Sequence, residues 1–233
     1  MTRPAPPPGS PPSSPPTQRD PDVGRRALRE LRHRITTGVL APGAQLHEQS
    51  LADELAISRS RLREAFARLE ATGLIDRTPN RGAFVHRLTI AEARDVFQAR
   101  EALESMCAGL AARNAPPESW QDLVDLFAAP TQALVEAGDF EGYLANVALF
   151  RRRMIQAAGN QTIAELLGPL LDRSAVAMRR VILATNRASD GLVQYRAVIA
   201  ALRAGDAEAA EQRKRAQLHE AWAALERYHR LVL

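Results

Sequence analysis

Residues 47–85 read HEQSLADELAISRSRLREAFARLEATGLIDRTPNRGAFV, and this stretch decides the fold. Leu51, Ala52 and Leu55 recur at helical spacing and predict a short helix over about 48–55. A tight turn through Ala56-Ile57 leads to Ser58, a good helix N-cap. A further helix runs from Arg59 to about Ala71, buries Leu62, Ala65, Phe66 and Leu69, and stops at Gly73. Leu74-Ile75-Asp76-Arg77 and Ala83-Phe84-Val85-His86 then read as two short strands joined by the turn formers Thr78-Pro79-Asn80-Arg81-Gly82. Upstream, Leu28, Leu31 and Ile35 predict a helix that opens at Gly24 and ends near Gly38, before the turn Ala41-Pro42-Gly43. Helix, helix, turn, helix, hairpin is the order of a winged helix-turn-helix.

Charge singles out the same segment. Residues 24–88 hold 12 arginines against 7 acids, whereas 89–233 hold 17 basic and 18 acidic residues. A positive unit on a near-neutral body suits a phosphate-facing module. On the helix after Ser58, Leu62 and Phe66 must face the core, which leaves Arg59 and Arg63 sharing an exposed face with Ser60 near its start. Arginine grips guanine bidentately in the major groove, and serines at a helix N-terminus bind phosphate oxygens. Arg81 at the hairpin tip is placed to reach a minor groove or a phosphate, and Gly82 permits close backbone approach.

On either side of this segment the character changes. Residues 1–23 contain nine of the fifteen prolines and predict a disordered, Pro-rich tail. After Leu88 the chain is helical nearly throughout. Thr89 and Glu92 form a capping box that opens a helix to about Ala112. Helices follow at about 118–136, 139–158, 161–185, 189–204 and 206–230, with Pro169 a candidate kink in the fourth of the six. The fold class is therefore mainly α: a winged helix-turn-helix over 24–88 and a bundle of about six helices over 89–233. Unbroken apolar runs of bilayer length are missing, so a cytoplasmic protein without membrane contact is expected. The single cysteine, Cys107, excludes an intrachain disulfide and reads as a small core residue.

Many positions together resemble the GntR family of bacterial regulators: Gly38-Val39-Leu40-Ala41-Pro42-Gly43, Leu51-Ala52, Ile57-Ser58-Arg59, Arg63-Glu64-Ala65, Gly73-Leu74-Ile75 and Asn80-Arg81-Gly82-Ala83-Phe84-Val85. The resemblance implies DNA contacts from Gln49, Ser58, Arg59, Ser60, Arg63, Arg81 and Gly82. The helical remainder resembles the ligand domain of the FadR subfamily, called FCD, through Arg100 with Glu104, Ala157-Ala158-Gly159-Asn160, and Ala201-Leu202-Arg203-Ala204-Gly205-Asp206. That likeness implies a homodimer reading a near-palindromic operator in double-stranded DNA, commonly as a repressor, under control of a small-molecule effector.

Many members of the subfamily hold a divalent metal. By alignment the four ligand positions are Val147, Arg151, Tyr195 and Gln217, none a good zinc ligand. Of the histidines, His33, His47 and His86 lie in the DNA-binding half, while His219 and His229 stand about 15 Å apart along one helix. No metal and no cofactor are expected. Arg151 or Arg100 instead becomes the fixed cation for a carboxylate or phosphate, with Tyr195, Gln217 and Asn160 as hydrogen-bonding partners. Arg151-Arg152-Arg153 also reads as a solvated charge run, and Arg100 as a partner of Glu104. Two other functions stay open: a winged helix that binds protein, and an enzyme within the helical domain.

Overall fold

The computed structural model describes residues 21–79 and 81–233. Most of the expected tail, residues 1–20, and Asn80 of the hairpin turn lie outside the described residues. Helix α1 (Pro21–Thr36) opens three residues before Gly24. Proline suits a first helical position, and Val23 adds apolar area against the core. The remaining N-terminal elements are β1 (Gln45–Leu46), α2 (Glu48–Glu54), α3 (Arg59–Ala71), β2 (Ile75–Thr78) and β3 (Gly82–Val85).

The expected hairpin is present with each strand displaced by one residue, and Thr78 pairs with Gly82 at its closed end. Gly82 adopts a φ of 91°, which a side chain would resist. Strand β1 was not foreseen: at two residues it has no period to detect, yet it pairs antiparallel with β3 in the order β1-β3-β2. Leu31, Leu62, Phe66, Leu69 and Ile75 fill the core beneath, each almost fully buried. Burying such a side chain is worth roughly 1.5–3 kcal/mol. The apolar cluster of this half is distinct from those of the bundle.

The bundle comprises α4 (Ile90–Asn114), a 3₁₀ turn (Pro117–Trp120), α5 (Gln121–Phe127), α6 (Ala129–Glu136), α7 (Phe140–Ala158), α8 (Gln161–Ala184), α9 (Arg187–Arg203) and α10 (Ala207–Val232). The capping box at Thr89 and Glu92 forms as expected. The helix expected over 118–136 is instead interrupted at Ala128. Pro130 has no N–H to continue the ladder and clashes with the carbonyl four residues back. Arg196 occupies the break, donating from Nε to the Phe127 carbonyl at 2.6 Å and from Nη2 to that of Ala128 at 2.8 Å. Pro169 does not interrupt α8.

Around Trp120, Leu123, Phe127, Tyr143, Phe150 and Met154 the bundle packs its main core. The two halves meet where α1 crosses α8, and there Arg32 pairs with the carboxylate of Asp172 at 2.6 Å.

Candidate functional site

The N-terminal half presents a basic face. The Oγ of Ser58 accepts a hydrogen bond from the backbone N–H of Arg61 at 3.3 Å, which fixes the start of α3. From that start Arg59, Ser60 and Arg63 project exposed. Arg63 donates from Nε to Glu48 at 2.8 Å, so α2 and α3 are tied where the reading surface begins. Gln49, also exposed, donates to the Asp53 carboxylate. Arg81 and Gly82 stand exposed at the hairpin's closed end, where Gln45 donates to the Arg81 carbonyl at 3.3 Å. These arginines are solvated, and their surface partners are weak enough to exchange for phosphate or base edges.

The bundle encloses the second candidate site, a cavity of about 430 Å³. Its wall draws on α4, α7, α8, α9 and α10, together with His33 and Thr36 of α1 and Thr37 just after it. All four aligned positions, Val147, Arg151, Tyr195 and Gln217, line it, together with Arg100. Asn160 does not. Its carboxamide oxygen accepts from the Ile163 N–H at 3.1 Å and caps α8, and Asn160 lines a neighbouring groove that also includes Arg151.

Two buried cations in this wall escaped sequence reasoning. Lys214, the chain's only lysine, is 1% exposed and donates to the Gln217 carboxamide at 2.8 Å. It also meets Glu104 at 2.7 Å. Its signal was available, since Ala210, Lys214, Gln217, Leu218, Ala221 and Leu225 form one buried stripe of α10. Arg187 gave none, because it opens α9 ahead of the expected start at 189. Its Nη2 donates to Gln194 at 2.7 Å, while Nε and Nη1 are buried without a partner.

Glu104 organises the other cations. Fully buried, it takes Arg100 at 2.8 Å, Lys214 at 2.7 Å and Arg151 at 3.7 Å. Burial alone would raise its carboxyl, but Lys214, Arg100 and Arg151 outweigh that and hold it far below the usual carboxylate range. Arg100 is further tied to Ser174 at 3.0 Å and lies over the Phe97 ring. Burial disfavours the charged form of Arg151 as well, yet Glu104 and then Tyr195 raise its pKa, so it stays a cation. Near them burial, and then Glu104, push the Cys107 thiol up to about 11, which leaves little nucleophilic thiolate at neutral pH.

A divalent metal does not fit this wall. A guanidinium, a phenol, a carboxamide and an isopropyl group stand at the aligned positions, and the one carboxylate touching them is already held by three cations. Among the described residues, no group of three or more His, Cys, Asp or Glu is placed to hold an ion. Nor is any helix among them long and apolar enough to cross a membrane.

Known proteins match both halves. Residues 24–85 fit the description "Bacterial regulatory proteins, gntR family" and residues 95–220 fit the "FCD domain". The chain is 28% identical over 181 residues to the HTH-type transcriptional regulator McbR of Escherichia coli, covering 77% of this chain and 81% of that protein. It is 29% identical over 181 residues to a probable D-xylose utilization operon transcriptional repressor of Paenarthrobacter nicotinovorans, covering 76% and 77%. Among solved structures, E. coli McbR/YncC superposes with a TM-score of 0.78 at 25% identity, over 89% of this chain and 98% of that one. A regulator from Rhodococcus sp. RHA1 gives 0.73 at 24%, over 88% and 98%. Two matched domains in this order make the chain a GntR-family transcription regulator of the FadR-like subfamily, with an FCD domain behind its DNA-binding head.

Proposed function

We propose that the protein is a repressor that binds a near-palindromic operator as a homodimer and is controlled by a small anionic effector, held in the bundle without metal. One observation carries the effector assignment: the cavity is lined by buried donors without partners, on Arg151, Arg187 and Gln217. Unsatisfied buried donors cost about 1–3 kcal/mol each, more for charged groups, and an anion relieves them together. DNA contact falls to Arg59, Arg63 and Arg81, with Ser58, Ser60, Gln49 and Gly82 positioning the phosphates. The repressor named above supports the sign of regulation by likeness. None of the wall groups pairs a nucleophile with a base, which favours ligand sensing over catalysis.

Control follows from the rim. An effector in this cavity touches the C-terminal end of α1 through His33 and Thr36, and Thr37 beyond it, so its binding biases the placement of the reading head against the bundle. The test is recovery of genomic fragments from the source organism at moderate salt, with and without a metabolite pool. A shared palindromic motif, lost in Arg63→Ala and altered in yield by the pool, supports the whole reading. Enrichment that the pool never changes defeats the effector half. Absence of enrichment under both conditions defeats the DNA half.

A further inference from the structure

Arg187 is a charge the rest of the wall leaves unanswered. It is 8% exposed, and among the described residues it forms no ion pair. Glu104 reaches Arg100, Arg151 and Lys214 but does not reach Arg187. Asp190 and Glu220 line an outer groove that Arg187 also borders, but they form no ion pair with it. At the rim, Asp172 and Glu141 are taken by Arg32 and Arg179. Apart from the Arg179–Glu141 pair and the Asp172–Arg32 pair, three cations of the wall share the buried Glu104 carboxylate and Arg187 has none, so a ligand with a single negative charge leaves two positive charges unmatched. Buried charge without a partner costs several kcal/mol, so the occupant that fits best brings more than one negative group.

Different helices carry the positions for those groups. Arg151, on α7, sits with Lys214 around Glu104, whereas Arg187 opens α9. The buried Tyr143 hydroxyl stands near both guanidinium groups. Burial and then Tyr195 raise its pKa, while Arg187 and Arg151 each pull the other way. Gly191 makes the approach possible, because a methyl group there would collide with the Tyr143 hydroxyl and crowd Arg187 Nη1. The unpaired Gln217 Nε2 adds a neutral donor, and the Gln217 carbonyl lies 3.5 Å from Arg187 Nη2. Arg187 thus stands outside the Glu104 ion-pair cluster with two donors unused.

Building on the effector reading above, we propose that the cavity selects a small dicarboxylate, one carboxylate at Arg151 and Lys214 and the other at Arg187, Gln217 and Tyr143. Selectivity then rests on Arg187, which lies outside the four aligned ligand positions.

Isothermal titration of the full chain with butyrate, succinate, glutarate and inorganic phosphate, at matched ionic strength and neutral pH, tests it. Succinate or glutarate is expected to bind at least tenfold tighter than butyrate, and Arg187→Gln to reduce that preference below threefold. The variant removes a buried cation that has no ion pair, which offsets the lost hydrogen bond to Gln194, so its thermal midpoint without ligand should change little, which guards against simple unfolding. Butyrate binding as well as succinate, or Arg187→Gln keeping the full preference, overturns the proposal but leaves an anionic effector standing. Phosphate binding tighter than both dicarboxylates overturns the two-position arrangement. If no anion binds the parent chain, the effector reading falls and this proposal with it.

Discussion

Two ion pairs of almost equal length sit in the two halves of this molecule, Arg63 to Glu48 at 2.8 Å and Lys214 to Glu104 at 2.7 Å. Their surroundings differ: the Arg63 side chain is 61% exposed and that of Lys214 is 1% exposed. Water screens the first pair, so it is worth little and its arginine can exchange partners. The second has given up its water and must be kept together. Distance alone therefore says nothing about worth. A reading head needs arginines it can release, and a ligand cavity needs cations that cannot leave.

The largest expected effect lies in the cavity. Glu104→Ala strands Arg100, Lys214 and Arg151 without their carboxylate and should cost about 3–5 kcal/mol in urea unfolding. Glu48→Ala should cost less than about 1 kcal/mol in the same measurement. Equal losses would break the comparison. The acid limb sharpens it. Because the folded Glu104 carboxyl lies far below its unfolded value of about 4.3, its contribution is fully present above that pH. It is lost as pH falls from there toward the folded value. Urea midpoints measured from pH 7 down to pH 3 should fall steeply in the parent chain. They should fall less in Glu104→Gln, which has no such proton to take up.

For the reading head the effect moves from stability to DNA. Arg63→Ala should leave the urea midpoint within about 0.5 kcal/mol and weaken operator binding by about 1–3 kcal/mol, with relaxed preference at one base position. Fluorescence anisotropy on the recovered motif and its single-base variants measures both. A uniform loss across all variants would reassign Arg63 from base reading to phosphate positioning.

The same contrast explains what the sequence disclosed. Reading-head residues are exposed arginines and serines on a short helix whose cap, Ser58, and buried stripe, Leu62 to Leu69, obey local rules. Arg59 and Arg63 could be placed on the outer face from spacing alone. Cavity residues come from five bundle helices, and only packing brings them together. Arg151 sat in a triple-arginine run that resembled a solvated face, and it proved to be the member aimed at Glu104. Arg153 of the same run pairs with Asp122 instead. Lys214 was legible as a charge on an apolar stripe, whereas Arg187 was hidden by a helix start misplaced by two residues. The break at Ala128 follows from Pro130, a local signal outweighed there by apolar spacing on both sides.

The smallest expected effect concerns the turn that aims α3. Helix α2 ends in a Schellman arrangement: the Ile57 N–H donates to the Ala52 carbonyl at 3.0 Å and the Ala56 N–H to that of Asp53 at 3.2 Å. The residue between must be left-handed, and Ala56 is, with a φ of 52°. At the end of α3 the same pair of bonds surrounds Gly73, with a φ of 72°. An L-residue in this region costs roughly 1–2 kcal/mol, against about 0.5–1 kcal/mol of extra chain entropy for glycine. Ala56→Gly should therefore stabilise the N-terminal half by about 0.5–1 kcal/mol, and thermal unfolding should show it. Ala56 is exposed, so no packing is lost in the exchange. If the variant is instead less stable, the rigidity of Ala56 in the unfolded chain outweighs its strain in the fold. The α2–α3 turn would then hold its angle through chain stiffness, unlike the glycine turn at the other end of the same helix.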